Sequence, residues 1–190
     1  MTQRYSLIVP DATPLITLAA ADSLDLLLKP GVPVFIPDGV HWEAVRFPSK
    51  PGAADIVDWL QKSRKMVHIE ATQEFANSEI LRESGRRVRG MGERCALELV
   101  SLQSKDEPGS KSILLYEDSD VVGLRLLQPE DVDTLTTADF LHVLEDARLI
   151  QSADHILDLA VAAGRTEHVR TRTPNLPPHV LAQLRGDRGR

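Results

Sequence analysis

Short apolar runs rich in β-branched residues alternate along this chain with longer stretches of helical periodicity, and that alternation is the strongest limit on its fold. The runs are Tyr5 to Val9, stopped by Pro10, then Val34 to Ile36, Met66 to Ile69, Ser112 to Tyr116 and Val132 to Leu135. Between them, Thr13-Pro14 reads as a helix start, with Thr13 as N-cap and Pro14 at the first helical position. Leu15 to Leu28 carries helical spacing with a break near Asp22-Ser23. Further helices are expected at about Gly39 to Arg46, Ala53 to Ser63, Thr72 to Ser84, Glu93 to Leu102, Ser119 to Leu127, Ala138 to Leu149 and Ala153 to Ala163. Strands separated by helices call for parallel crossovers and a sheet covered on both faces, an α/β fold with a mainly parallel central sheet.

A chain of 190 residues suits one domain with a proper core. The composition shifts after Gly164 to Arg, Thr and Pro, which divides the chain into a body, 1–163, and a basic tail, 164–190, with a short helix expected at Pro178 to Leu184. The net charge of −6 conceals an asymmetry: the tail has six arginines against Glu167 and Asp187, so it carries +4 and the body −10. A basic appendage on an acidic body suits a metal enzyme that grips a polyanion, and it suits a solvated tail equally well. Cys95 is the lone cysteine, which excludes an internal disulfide and a cysteine zinc cluster and fits a reducing compartment. No apolar run approaches membrane-spanning length, and no basic, apolar and small-residue leader opens the chain, so a cytoplasmic protein is expected.

In open α/β sheets the functional crevice lies beyond the carboxyl ends of the strands. Asp11 follows the first strand, Glu43 lies in the helix after the second, Glu93 opens the helix before the strongest strand, and Glu117, Asp118 and Asp120 follow that strand directly. Carboxylates gathered at one sheet end repel one another unless cations neutralise them. Mg²⁺ or Mn²⁺ answers that need, since hard cations take oxygen ligands and can activate water beside a phosphodiester. Each acid taken alone is equally well explained as a helix cap.

These segments resemble the PIN-domain family, in particular its VapC-like ribonuclease branch. The opening IVPDATPLITLAAADSLDLL is similar to the family's first motif, FIPDGVHWEAV to its second, GERCALELV to its third and LLYEDSD to its fourth-strand motif. TTADFLHVLEDARLI is similar to the region after the last strand. The resemblance spans about Tyr5 to Ile150. It implies a three-layer α/β/α sandwich and a Mg²⁺- or Mn²⁺-dependent endonuclease acting on RNA. It also implies a toxin held in check by an antitoxin, often within homodimers. By the same resemblance Asp11, Glu43, Glu93 and Asp118 would bind the metal, with Glu117 and Asp120 able to share or replace the role of Asp118, and Thr136 or Thr137 nearby. The fourth motif departs from the family's Asp-Asp-x-x-Ala-Arg run, and the segments 48–65 and 164–190 exceed a minimal member.

Around this set, Thr13 is expected to cap its helix or to orient Asp11. Arg86, Arg87, Arg89 and Arg94 crowd the approach to Glu93 and could hold flanking phosphates of RNA, or form a solvated face. The histidines are scattered and form no HExxH motif, and there is no phosphate loop or nucleophile elbow. Two other functions remain open: a PIN-like module that binds RNA or protein but cuts weakly, and a receiver-like phosphoacceptor. The second lacks the lysine it needs after the last strand, between Val132 and Gly164.

Overall fold

The computed structural model of the chain describes residues 5–106, 109–117, 130–173 and 180. Its centre is a five-stranded sheet, all parallel, built from β1 (Tyr5–Pro10), β2 (Val34–Pro37), β3 (Val67–Glu70), β4 (Lys111–Tyr116) and β5 (Val132–Thr136) in the order β3-β2-β1-β4-β5. The helices are α1 (Ala12–Ala20), α2 (Asp38–Val45), α3 (Ala53–Lys62), α4 (Gln73–Glu83), α5 (Met91–Asp106), α6 (Thr137–Asp146) and α7 (Ala153–Ala162). The expected three-layer α/β/α sandwich is therefore present, with a sheet that is wholly rather than mainly parallel.

Strand periodicity sorts the core into two faces. Ile8, Val34, Ile36, Ile113, Leu115 and Leu135 point to one side, where they meet side chains from α1, α3, α6 and α7. Leu7, Val9, Leu114 and Val132 point to the other, against Ala96 and Val100 of α5. Leu15 and Leu18 of α1 are wholly buried, each contributing roughly 1.5–3 kcal/mol of transfer free energy. At the amino end of the sheet, Asp133 accepts from Tyr5 Oη at 2.6 Å and pairs with Lys111 Nζ at 3.2 Å, tying β1, β4 and β5 together.

Local details differ from the sequence expectation at three places. Asp11, not Thr13, is the N-cap of α1, and Pro14 is the third helical residue. Proline fits there as well as at the first position, because the amides of the first turn have no intrahelical acceptor. Helix α5 begins at Met91, so Glu93 is in its first turn rather than at its start. The segment after Gly164 is not all appendage: a 3-10 turn, Glu167–Arg170, buries Val169, Thr173 N–H donates to Asp139 at 2.9 Å, and Val180 joins the main core. The expected helices at Ser119 to Leu127 and Pro178 to Leu184 lie outside the described residues, Val180 excepted.

Candidate metal and phosphate site

The strand order reverses direction between β1 and β4, and ligand crevices in parallel sheets open at such a switch point. Asp11 and Glu117 stand directly after those two strands, and Asp11 N–H extends the pairing by donating to Leu115 O at 2.8 Å. The Asp11 side chain makes no capping hydrogen bond of the usual N-cap kind, so its carboxyl remains available to the crevice.

Glu43 reaches the same place from α2. That helix starts straight after β2 and is anchored by Asp38, which accepts from Gly39 N–H at 2.9 Å, Thr72 N–H at 3.1 Å and Thr72 Oγ1 at 2.7 Å. Thr72 in turn caps α4 by accepting from Phe75 N–H. The Glu43 Oε1 atom accepts from Gly92 N–H at 3.3 Å, at the start of α5. A methyl group placed on Gly92 would stand 2.7 Å from Glu43 Oε2 and 3.1 Å from Asp11 Oδ1. Carboxylate oxygens from α2 and from the end of β1 thus face one spot, kept open by the absence of a side chain.

Glu93, half-buried in the first turn of α5, lies over Gly90, where a methyl group would stand 3.2 Å from its Oε2. The charges of Glu43, Glu93 and Glu117 all act on Asp11. Its pKa is pushed up to about 7, chiefly by burial; the Ala12 N–H opposes that rise, and the charges of Glu43, Glu93 and Glu117 each add to it. Among the described residues, neither Asp11 nor Glu43 has an ion-pair partner.

Glu117 is held differently. It is buried, and its Oε2 accepts from Thr17 Oγ1 at 3.0 Å and from Arg165 at 3.1 Å, while Oε1 accepts from Thr137 Oγ1 at 2.6 Å. Arg165 Nε also donates to Thr17 Oγ1 at 2.8 Å. Four segments of the chain meet at this carboxylate. Thr17 and Arg165 were not among the expected site residues. Thr17 was signalled only as a polar residue on the otherwise apolar face of α1.

The other expected residues fall as follows. Thr137 is buried on Glu117, and Thr136 caps α6 in a reciprocal capping box with Asp139. Thr13 is half-buried in the first turn of α1. Asp118 and Asp120 lie outside the described residues. Arg86, Arg87 and Arg89 are exposed in the loop between α4 and α5. Arg94 braces that loop instead of reaching out, donating to Glu74 at 2.9 Å, to Arg89 O at 2.6 Å and to Ser78 Oγ at 3.3 Å.

Among the described residues no three His, Cys, Asp or Glu side chains form a group that would hold one metal ion. The pair Asp11 and Glu43 nevertheless fits a small hard cation. Mg²⁺ is commonly held by one or two carboxylates, with water and substrate phosphate completing its shell. An all-oxygen pair with space at Gly92 and, among the described residues, no ion-pair partner supplies that donor set. No helix among the described residues is long and apolar enough to cross a membrane. No family model matches this chain, and no curated protein or solved structure shows significant similarity to it.

Proposed function

We propose that this chain is a Mg²⁺- or Mn²⁺-dependent endoribonuclease of PIN type. The observation carrying the proposal is the meeting of Asp11 and Glu43 oxygens beside Gly92 at the switch point of a parallel sheet. Asp11 and Glu43 would hold the cation, with Glu93 at its margin. When bound, such a cation supplies charge stabilisation on a phosphodiester and activation of water.

The protein's own groups perform the rest. Asp11, whose pKa is raised chiefly by burial and further by the neighbouring carboxylates, would hold a cation in its ionised form, which the cation's charge would favour. Glu43 is oriented by Gly92 N–H, which fixes one of its oxygens and leaves the other toward Asp11. Glu117, locked by Thr17, Thr137 and Arg165, aligns the ends of β4 and α6 with α1 and adds no unpaired charge. The likeness of the sequence motifs extends the proposal to a toxin of a toxin–antitoxin pair acting as a homodimer in the cytoplasm.

Cleavage of single-stranded RNA with added Mn²⁺ tests the reading. Asp11→Asn and Glu43→Gln should each abolish it with the far-UV circular dichroism unchanged, and cleavage at the wild-type rate by both would remove the site. The engagement of Glu117 by Arg165 favours a second reading, a PIN-like binding module with little nuclease activity. Calorimetric Mn²⁺ binding without any RNA cleavage would select it.

A further inference from the structure

Beside the acid pair the surface opens into a cleft of about 240 Å³, walled by α1, the end of α2 with the turn after it, and the turn after α7. Glu43 stands on one wall and Arg165 on another, so the cleft is continuous with the proposed catalytic site. Ile16, Ala20 and Ala44 contribute apolar surface, while Arg46, Phe47 and Lys50 contribute an aromatic ring and two positive charges.

Those charges are placed by aromatic rings. The Arg46 guanidinium lies 4.5 Å from the Trp42 ring centre and 4.8 Å from that of Phe47, and Lys50 Nζ lies 5.2 Å from Phe47. A cation resting on a ring face keeps its N–H donors available for an anion. Neither residue forms an ion pair among the described residues, whereas Arg165 is committed to Glu117. Phe47 itself is 49% exposed, so its ring face is open to solvent at the cleft.

Resting on the ribonuclease reading for its ligand, we infer that this cleft binds a phosphate–ribose unit of single-stranded RNA next to the bond to be cut. Arg46 and Lys50 hold the phosphate, and the apolar wall takes the sugar. The opposed signs at the two ends direct the strand. An RNA phosphate is repelled by Glu43 until a cation is present but is drawn to Arg46 and Lys50 at all times. The cationic end therefore binds RNA without metal, and the acidic end does so only with it. This gives a function to the start of the 48–65 segment, which supplies Lys50.

Fluorescence anisotropy of a labelled twelve-nucleotide oligouridine with the full chain in EDTA, over a series of salt concentrations, tests the cleft. The Arg46→Ala/Lys50→Ala double variant should lose about tenfold in affinity. Its salt slope should fall by roughly 0.7, since the two side chains hold one phosphate and each neutralised phosphate of a single strand contributes roughly 0.7. Lys62→Ala/Arg64→Ala, which removes the same charge from exposed positions elsewhere, should bind as the wild type does. An unchanged slope in the first variant, or an equal loss in the second, overturns the inference. Mn²⁺-dependent cleavage by the wild type, run alongside, separates the two ideas. Cleavage with unaltered binding by the Arg46/Lys50 variant removes the cleft and leaves the nuclease. Weakened binding by that variant, with no cleavage by the wild type, keeps the cleft as an RNA site and removes the nuclease. No RNA binding by the wild type in EDTA removes the cleft, and only the absence of Mn²⁺-dependent cleavage removes the nuclease as well.

Discussion

Arg165 donates to the buried carboxylate of Glu117 at 3.1 Å, joining the turn after α7 to the end of β4 across 48 residues of sequence. The Glu117 side chain is 4% exposed and that of Arg165 24%, so water screens this pair little. Removing the cation leaves a buried anion with hydroxyl donors only. Arg165→Ala should therefore destabilise the fold by about 3–5 kcal/mol. Glu117→Gln in the same background should recover part of the loss, because a neutral amide needs no counter-charge. Urea unfolding midpoints of the two variants check this, and a loss under about 0.5 kcal/mol for Arg165→Ala would show that the pair is a surface contact in effect.

Asp11 makes stability depend on pH. An ordinary aspartate ionises near 3.8, whereas burial and the charges of Glu43, Glu93 and Glu117 push Asp11 up to about 7. Below about pH 4 the group is protonated in both folded and unfolded chains and favours neither. Between about pH 4 and 7 the unfolded chain ionises first, so stability falls as the pH rises. Above about pH 7 both forms are ionised and the loss levels off. Its ceiling is about 4 kcal/mol, at about 1.4 kcal/mol per pKa unit, and water reaching the half-buried carboxyl reduces it. Asp11→Asn should match the wild type below about pH 4 and exceed it in stability at about pH 8. Parallel pH profiles for the two proteins would show that another group is responsible.

Mn²⁺ should act in the opposite sense to that repulsion. At about pH 8 the wild type gains stability with added Mn²⁺ by mass action, since the folded site binds the ion and the unfolded chain does not. A hundredfold excess over the dissociation constant raises the stability by about 2.7 kcal/mol. Asp11→Asn and Glu43→Gln should lose most of that gain. Thermal melts with Mn²⁺ and with EDTA measure it.

Gly92 is where the fold leaves room between the acids. An alanine there would place its methyl 2.7 Å from Glu43 Oε2 and 3.1 Å from Asp11 Oδ1, closer than such atoms can stay. Glu43, on a longer side chain, would swing away, while Asp11 is confined next to the sheet. Helix propensity offsets part of the cost, as alanine is better than glycine in a helix by up to about 1 kcal/mol. Gly92→Ala should thus fold with near-normal stability yet lose Mn²⁺ affinity about tenfold by calorimetry. Retained affinity would mean that the two oxygens do not share an ion.

Much of this architecture is legible in the sequence because its strands are local events. Val34 to Ile36 and Ser112 to Tyr116 are short, apolar and bounded, and the helices between them leave parallel crossovers as the natural connection. Asp11 and Glu117 are legible for the same reason, since each directly follows a strand, whereas Glu43 lies inside α2 and Glu93 in the first turn of α5. Glu117 shows where the reading ends. Its partners Thr17, Thr137 and Arg165 lie 100, 20 and 48 residues away, and no periodicity links them. Arg165 reads as tail charge because composition changes at Gly164, although packing continues past it to Val169 and Thr173. Pro14 misplaced the start of α1 because a proline satisfies any first-turn position equally.

The approach of α2 to α5 carries Glu43 to Gly92, and it depends on Gly39. A methyl group on Gly39 would stand 2.6 Å from Cys95 Sγ and 3.4 Å from Phe75, in contact with side chains from α5 and α4 together. Cys95 is fully buried and cannot swing into solvent, so the strain is relieved by moving α2 outward. Gly39→Ala should cost about 1–3 kcal/mol, as overpacking of a close core contact does. It should also weaken Mn²⁺ binding, because Glu43 is one turn along the same helix. Cys95→Ala removes the opposing sulfur, and the double variant Gly39→Ala/Cys95→Ala should regain both stability and metal affinity relative to Gly39→Ala. A double-mutant cycle read by urea unfolding and by calorimetry tests the coupling. Strict additivity in both measurements would show that the contact does not position Glu43.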